Sequence, residues 1–323
     1  MKVAILGSGA YGLALGYTIY NNNHEVMMWT KFEQERDLLT NTRKNEKLIP
    51  NFIIPEKIKF SCDMKETVKD ADLIILAVPA PFIDDISKEL AQYIDDQAII
   101  IASKGIENDT CLFLNDVVSN YIKTDKIGVI SGPSFAVDIV EKMPIGLSIA
   151  STNDEVISLT KKALENRYFK LRENNDIVGT EVCGAIKNVI AIASGMLSGL
   201  NANESTKAMF ITESLHDIKE IIDVLGGDKK TILSFAGFGD LLLTCTTKKS
   251  RNFSFGYTLV TESKEKIDEY INTHTIEGLY TVKSIHQLLK NKNADIPMIT
   301  LIYDIIFNKK QPTELLTFLV EKD

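Results

Sequence analysis

One lysine stands alone in an apolar stretch. Residues 181–195 read EVCGAIKNVIAIASG, and between Val182 and Leu200 the single charged side chain is Lys187. An ammonium taken out of water is costly unless a partner or a bound anion compensates it. Two readings follow from that cost. In one, Lys187 lies near a rim and reaches its charged end out to water. In the other, it is a lysine with a lowered pKa that gives and takes a proton as a general acid and base. Downstream, Asp240 sits in the apolar run FGDLLLTC and needs a cation or donors of its own. Then come Lys248, Lys249, Ser250, Arg251 and Asn252. By composition this run reads first as a solvated basic loop. Arginine beside serine and asparagine ahead of a helix start also suits a phosphate, through planar bidentate bonding and backbone amides.

A second constellation opens the chain. Gly7, Ser8, Gly9, Ala10, Tyr11 and Gly12 form a GxGxxG turn between a strand-like run at 3–6 and an apolar helix through about residue 20. In that context the glycines let backbone amides approach a dinucleotide pyrophosphate at a helix N-terminus. A site for NAD places an acidic residue about 20 residues further on, at the end of the second strand. Here that place reads Trp29, Thr30, Lys31, Phe32, followed by Glu33. Lys31 suits the 2′-phosphate of NADP, which favours NADP, and Glu33 leaves NAD open. Lys31 also reads equally as a solvated loop lysine.

The elements that must carry these residues alternate in the first half of the chain. Apolar strands are expected at 3–6, 25–29, 72–78, 98–102 and 126–130, with two more at the sheet edge at 145–150 and 168–171. Helical patterns lie between several of them. That alternation predicts successive βαβ units. Between the helical segment after Phe32 and the strand at 72, the chain reads as a long polar loop holding Arg43, Asn45, Pro50 and Pro55. Strand ends in such a sheet face the ligand crevice. Lys104 and the turn at Gly132, Pro133 and Ser134 follow two of them, so a site role for Lys104 is preferred over surface charge. From Asp176 the pattern turns helical, with helices expected at 179–200, 206–225 and 282–289. The predicted fold is α/β, a Rossmann-type doubly wound, mainly parallel sheet followed by an all-α C-terminal domain. Residues 1–175 form the dinucleotide-binding domain and residues 176–323 the helical substrate-binding and catalytic domain.

Composition narrows the function classes. A chain of 323 residues with 45% hydrophobic and 25% charged residues is an ordinary globular protein. Its net charge of −8 argues against nucleic acid or an anionic membrane as partner. Cys62, Cys111, Cys183 and Cys245 are widely spaced, so neither a zinc site nor a disulfide framework is expected. No metal is expected. Met1 leads directly into a strand-like run with no charged leader, so no export signal is expected, and the compartment is read as cytoplasmic. No membrane span is expected either, because Lys187, Gly184, Gly195 and Gly199 interrupt the longest apolar tract.

Taken in order, GSGAYG (7–12), RKNEKLIPN (43–51), AVPA (77–80), SKGIE (103–107), GPSFA (132–136), CGAIKNVIAIASG (183–195), AGFGDLLLTC (236–245), KKSRN (248–252) and Ile276-Glu277-Gly278 are distinctive. Over residues 1 to about 300 the chain resembles bacterial NAD(P)-dependent glycerol-3-phosphate dehydrogenases. The resemblance implies hydride transfer between NAD(P)H and dihydroxyacetone phosphate, giving sn-glycerol 3-phosphate for phospholipid synthesis. Lys187 matches the acid/base lysine. Lys104, Gly132, Ser134, Asp240, Ser250, Arg251 and Asn252 match substrate-binding positions, and Asn188 and Thr244 match active-site positions. Ala10, Tyr11, Lys31, Lys104, Ala136, Arg251 and Glu277 fall where the family contacts the nucleotide, beside Gly7, Gly9 and Gly12. A homodimer is implied. The chain departs from the family at Ser205, Glu213 and Ser214, and at Glu213 a usual arginine is replaced by the opposite charge. Two other readings remain open on the residues alone: a hydroxy-acid dehydrogenase of the same architecture, which would lack the SRN run, and a catalytically silent nucleotide sensor.

Overall fold

The structure, a computed structural model, describes residues 1–322. Its contacts divide the chain into two compact units. One comprises Met1–Ser103 and Leu114–Ile177, and the other comprises Lys104–Phe113 and the chain from Val178 onward.

The first unit is built on an eight-stranded sheet in the order β3-β2-β1-β4-β5-β6-β7-β8. The strands are β1 (Lys2–Leu6), β2 (Glu25–Trp29), β3 (Lys59–Ser61), β4 (Leu73–Leu76), β5 (Ala98–Ile101), β6 (Ile127–Ser131), β7 (Ile145–Ala150) and β8 (Phe169–Asn174). β1 to β6 pair in parallel, and β7 joins β6 antiparallel with β8 parallel to it at the edge. β4 and β5 read LIIL and AIII and are buried throughout, the pattern of strands covered on both faces. The order of strand connection reverses between β1 and β4, which is where sheets of this kind bind their ligands. A doubly wound, mainly parallel sheet is thus what the alternation of apolar runs predicts.

One strand departs from the sequence expectation. β3 lies in what reads as loop, and its three residues include one apolar side chain, Phe60. The free edge of β2 creates it, pairing Met27, Met28 and Trp29 with Lys59, Phe60 and Ser61. Periodicity cannot show a strand this short. The polar loop before it is packed rather than solvated: Ile49, Phe52, Ile54 and Ile58 join the core of the first unit, and Arg43 Nη1 donates to the carbonyl of Ile58 at 2.7 Å.

In the second unit every described element after Asn174 is helical. Its centre is a 23-residue helix, Ile177–Gly199, buried from Gly179 to Leu197. By length and composition it could cross a membrane, but 89% of its apolar window is buried inside the protein, so it is a core helix. The excursion Lys104–Phe113 belongs here because Ile106, Cys111 and Phe113 join the helical core. Its turn is organised by Glu107, whose carboxylate accepts from the backbone N–H and the hydroxyl of Thr110 at 2.7 and 2.6 Å.

The core helix meets the helix Arg251–Thr261 backbone to backbone. A Cβ on Gly195 would lie 2.0 Å from the carbonyl oxygen of Phe253, and one on Gly256 would lie 1.8 Å from that of Ile192. This approach brings the start of the second helix beside the middle of the first. Gly256→Ala should therefore cost at least about 2 kcal/mol through overpacking that neither backbone can relieve. A lowered urea midpoint checks it, and an unchanged midpoint would show that the helices can separate.

Candidate active site

Helices are numbered here in chain order: α1 (Ala10–Asn21), α2 (Glu33–Thr42), α3 (Ile177–Gly199), α4 (Glu204–Val224), α5 (Asp240–Cys245), α6 (Arg251–Thr261) and α7 (Glu277–Asn291). Lys187 projects from the middle of α3 to Asp240, the first residue of α5. Its Nζ donates to Asp240 Oδ1 at 2.5 Å and to Thr244 Oγ1 at 3.1 Å. The Thr244 hydroxyl gives its proton to the carbonyl of Asp240 at 2.6 Å, so a lone pair is left for the ammonium. Lys104 reaches the other carboxylate oxygen, Nζ to Oδ2 at 2.6 Å. One carboxylate thus lies between two ammonium groups, and the cluster carries a surplus positive charge when both are protonated.

Burial sets the electrostatics. The side chain of Lys187 is 10% exposed and that of Asp240 2%. Loss of hydration pulls the lysine down to a pKa of about 8, with Asp240 opposing the shift and the neighbouring Lys104 adding to it. For Asp240 burial acts in the opposite sense, but Lys104 and Lys187 outweigh it and hold the carboxyl below its ordinary value. Burial also pushes the Cys245 thiol far up, so it stays uncharged beside the pair. An ammonium has three donors, and two of those on Lys187 are held by Asp240 and Thr244. The third remains for an incoming oxygen. A lysine near pH 8 in such a setting can protonate an alkoxide or deprotonate an alcohol at physiological pH.

The basic run opens α6. Ser250 is the buried N-cap, and its oxygen accepts from the N–H of Phe253 at 3.2 Å. Arg251, the next residue, is exposed. Asn252 is buried, and its Nδ2 donates to Asn188 Oδ1 at 2.9 Å, while its Oδ1 accepts the N–H of Gly278 at 2.9 Å. Asn188 in turn donates to Glu277 Oε2 at 2.9 Å. Of the residues singled out in the sequence, Lys104, Lys187, Asn188, Asp240, Thr244, Ser250, Arg251, Asn252 and Glu277 all belong to the second unit. The direct bond between Lys104 and Asp240 and the link from Asn188 to Glu277 are not legible from the motifs. Their partners are 136 and 89 residues apart in the chain.

The remaining candidates belong to the first unit. Gly7 has φ +120°, and a Cβ there would lie 2.6 Å from the carbonyl oxygen of Ala77, at the end of β4. On Gly12 a Cβ would lie 2.2 Å from the carbonyl oxygen of Gly7. Internal packing therefore accounts for both. It does not account for Gly9, where a Cβ would meet nothing within 4 Å. Gly9 caps α1 without a side-chain hydrogen bond. Open space over uncapped helix amides fits a pyrophosphate. The Tyr11 hydroxyl lies 3.1 Å from that of Ser134, in the loop with Gly132 that precedes the short helix opened by Ala136. Lys31 is exposed after β2, with Nζ 6.0 Å from the Phe82 ring centre. Glu35 accepts from the hydroxyl of Thr30 at 2.7 Å, and Glu33 lies 3.9 Å from Arg36. Among the described residues no cluster of His, Cys, Asp and Glu could hold a metal ion.

Two family descriptions match the chain in turn. The N-terminal part of the NAD-dependent glycerol-3-phosphate dehydrogenases matches residues 2–157, and the C-terminal part matches residues 176–317. The chain belongs to this family. A glycerol-3-phosphate dehydrogenase [NAD(P)+] of Staphylococcus haemolyticus is 33% identical, the match covering 100% of this chain and 98% of the relative. One from Fusobacterium nucleatum is 33% identical with 100% and 97% covered. Among solved structures, the glycerol-3-phosphate dehydrogenase of Coxiella burnetii superposes with a TM-score of 0.94 at 30% identity, covering 99% of each chain. A D-mandelate dehydrogenase with a TM-score of 0.62 at 14% identity shares the fold.

Two of the positions expected from the sequence to depart from the family, Glu213 and Ser214, have local partners. Glu213 lies 3.4 Å from the ammonium of Lys322, which also pairs with the buried Asp217 of α4. Ser214 donates to the carbonyl of Phe210 at 2.7 Å, and Ser205 is exposed. The charge of Glu213 is therefore met by Lys322.

Removing the charge of Asp240 should lower the Lys187 pKa below about 8, because the carboxylate is what opposes desolvation. The pH dependence of Lys187 acetylation in Asp240→Asn, followed by mass spectrometry, measures this. A midpoint unchanged from the parent protein would mean that Asp240 does not hold the lysine's proton.

Proposed function

We propose that this protein interconverts dihydroxyacetone phosphate and sn-glycerol 3-phosphate with NADP or NAD, and so supplies glycerol 3-phosphate for phospholipid synthesis. The carrying observation is the carboxylate of Asp240 shared by Lys187 and Lys104, in a chain related along its whole length to glycerol-3-phosphate dehydrogenases. Residues 1–175 serve as the dinucleotide-binding domain and residues 176–323 as the helical substrate-binding and catalytic domain, which the excursion Lys104–Phe113 joins.

When bound, the nicotinamide cofactor supplies the hydride in the reducing direction and accepts it in the other. The chain handles the proton. Lys187, as ammonium, gives its proton to the ketone oxygen as that oxygen becomes a hydroxyl, and later regains one from water. In the oxidising direction the neutral amine takes the hydroxyl proton. Asp240 and Thr244 fix the ammonium, and its third N–H is directed to the reacting oxygen. Lys104 adds positive charge beside the same oxygens, and Asn188 orients the neighbouring amides. Arg251, with Ser250 and Asn252, holds the phosphate, which positions the ketone and thereby supplies part of the rate gain. Gly132 and Ser134 are assigned to the substrate as well. Gly7, Gly9, Ala10, Tyr11, Gly12, Lys31, Lys104, Ala136, Arg251 and Glu277 are assigned to the nucleotide. Lys31 favours NADP, because Glu35 is engaged by Thr30 and Glu33 lies beside Arg36. We place the protein in the cytoplasm as a homodimer. A sedimenting mass of one 36.0 kDa chain would contradict the dimer.

Oxidation of NADPH and NADH, followed separately with dihydroxyacetone phosphate, tests the reading. Turnover is expected, and Lys187→Ala should lower it by about 10²- to 10⁴-fold. Nucleotide binding without oxidation of either cofactor would make the protein a sensor instead. Reduction needs the ammonium, so its rate should fall as pH rises through about 8, whereas oxidation needs the amine and should rise over the same interval.

Arg251→Ala should chiefly raise KM for the phosphorylated substrate, by roughly 10- to 100-fold for the loss of charge-assisted bonds. Unchanged KM and rate would remove Arg251 from the phosphate site.

A further inference from the structure

The second unit contains a run of hydrogen bonds with a fixed direction. The N–H of Gly278 donates to Asn252 Oδ1, Asn252 Nδ2 donates to Asn188 Oδ1, and Asn188 Nδ2 donates to Glu277 Oε2, each at 2.9 Å. A backbone N–H can only donate and an ionised carboxylate can only accept, so the two ends set the orientation of both amides between them. Asn188 and Asn252 are buried. The run begins and ends on adjacent residues at the opening of α7, and it ties that turn to α3 and α6. Little room is left for slack, since a Cβ on Gly278 would lie 2.5 Å from the carbonyl oxygen of Asn188.

We propose that Glu277 is a positioning residue of the catalytic site: it anchors this amide relay, and through Asn188 it fixes which N–H of Asn252 is turned to the phosphate of the substrate. The inference rests on the proposed function and goes beyond a nucleotide contact for Glu277. An amide nitrogen has two donors. On Asn252 one is bound to Asn188, so one is left, and its direction is set by the relay. Asn188 directly follows Lys187 in α3, so the same anchor also fixes the backbone that carries the acid/base group. Electrostatics adds a second consequence. The charged and titratable groups around Lys187 are Asp240 of α5, Lys104 of the 104–113 excursion, the uncharged Cys245 of α5 and Glu277 of α7. Of these, Asp240 and Glu277 favour the protonated lysine. Glu277 thus helps to hold the proton that reduction consumes.

Two measurements test the relay. The first is the pH midpoint of Lys187 acetylation by acetic anhydride in the cofactor-free protein, which does not depend on turnover. In Glu277→Gln, nearly the same size, the midpoint should fall by about 0.5 pH unit, the order expected for loss of one charge acting across a partly solvated site. The second is steady-state kinetics at saturating nucleotide. Glu277→Ala and Asn188→Ala should raise KM for dihydroxyacetone phosphate roughly tenfold, as for a misdirected hydrogen bond to a charged group, with a smaller change in kcat. A merely structural role would lower melting temperature and leave KM for dihydroxyacetone phosphate unchanged. An unchanged midpoint in Glu277→Gln, or an unchanged KM for dihydroxyacetone phosphate in Glu277→Ala, overturns the proposal. If the alanine variants fail to fold, KM for dihydroxyacetone phosphate in Glu277→Met, which is of similar size and offers no oxygen acceptor, decides. A parent protein that oxidises neither NADPH nor NADH with dihydroxyacetone phosphate refutes the proposed function, while an unchanged acetylation midpoint in Glu277→Gln still overturns the influence of Glu277 on Lys187.

Discussion

One carboxylate with almost no access to water holds this site together. Asp240 accepts from Lys187 on one oxygen and from Lys104 on the other. Each ammonium alone would be costly to bury, and so would the carboxylate, but together they leave one surplus positive charge in a place where water cannot screen it. That surplus suits a phosphorylated substrate. It also accounts for a lysine whose proton is held loosely enough to be given away near neutral pH, since desolvation and Lys104 pull it down while Asp240 restrains it. Lys187 does not reach out to water as a rim lysine would, because its side chain is buried and its ammonium is held by Asp240 and Thr244.

Such a cluster requires helices that do not drift. α3 and α6 touch through Gly195 and Gly256, and α7 touches α3 through Gly278, in each case at distances where a Cβ has no room. Close backbone approach fixes relative height and rotation more firmly than side-chain packing, because carbonyls and Cα atoms cannot change rotamer. Three helix segments are therefore locked where Lys187, the N-terminus of α6 and Glu277 come together, and the asparagine amides fill the gap between them. The excursion Lys104–Phe113 is held by Ile106, Cys111 and Phe113 in the same core.

The first unit follows a different principle, in which chain geometry rather than charge shapes the site. Gly7 and Gly12 satisfy internal sterics at the ends of β1 and β4, whereas Gly9 has free space above it. Of three glycines in one motif, two serve the fold and one leaves room for a ligand. At Glu213 the negative charge is matched by Lys322, without involving Lys187 or its partners.

Local sequence determined much of this protein. Apolar runs gave the parallel sheet, because strands covered on both faces must be continuously apolar, and the GxGxxG turn could be placed because its strand and helix are its immediate neighbours. Lys187 was marked by its isolation, and Arg251 by the residues beside it. The fold class was legible in this way, whereas Asn188, Thr244, Ala136 and Glu277 were singled out only by the resemblance to the family. What only the tertiary structure decided involves partners far apart in the chain. β3 exists because β2 offers it an edge, and its own three residues carry too little pattern to announce it. Lys104 reads as the end of a strand, but its charge is spent on a carboxylate 136 residues away. The relay from Gly278 to Glu277 depends on amide orientations that no spacing encodes, because a hydrogen bond between buried side chains is set by which backbones are brought within 3 Å, and only the packing of the helices does that.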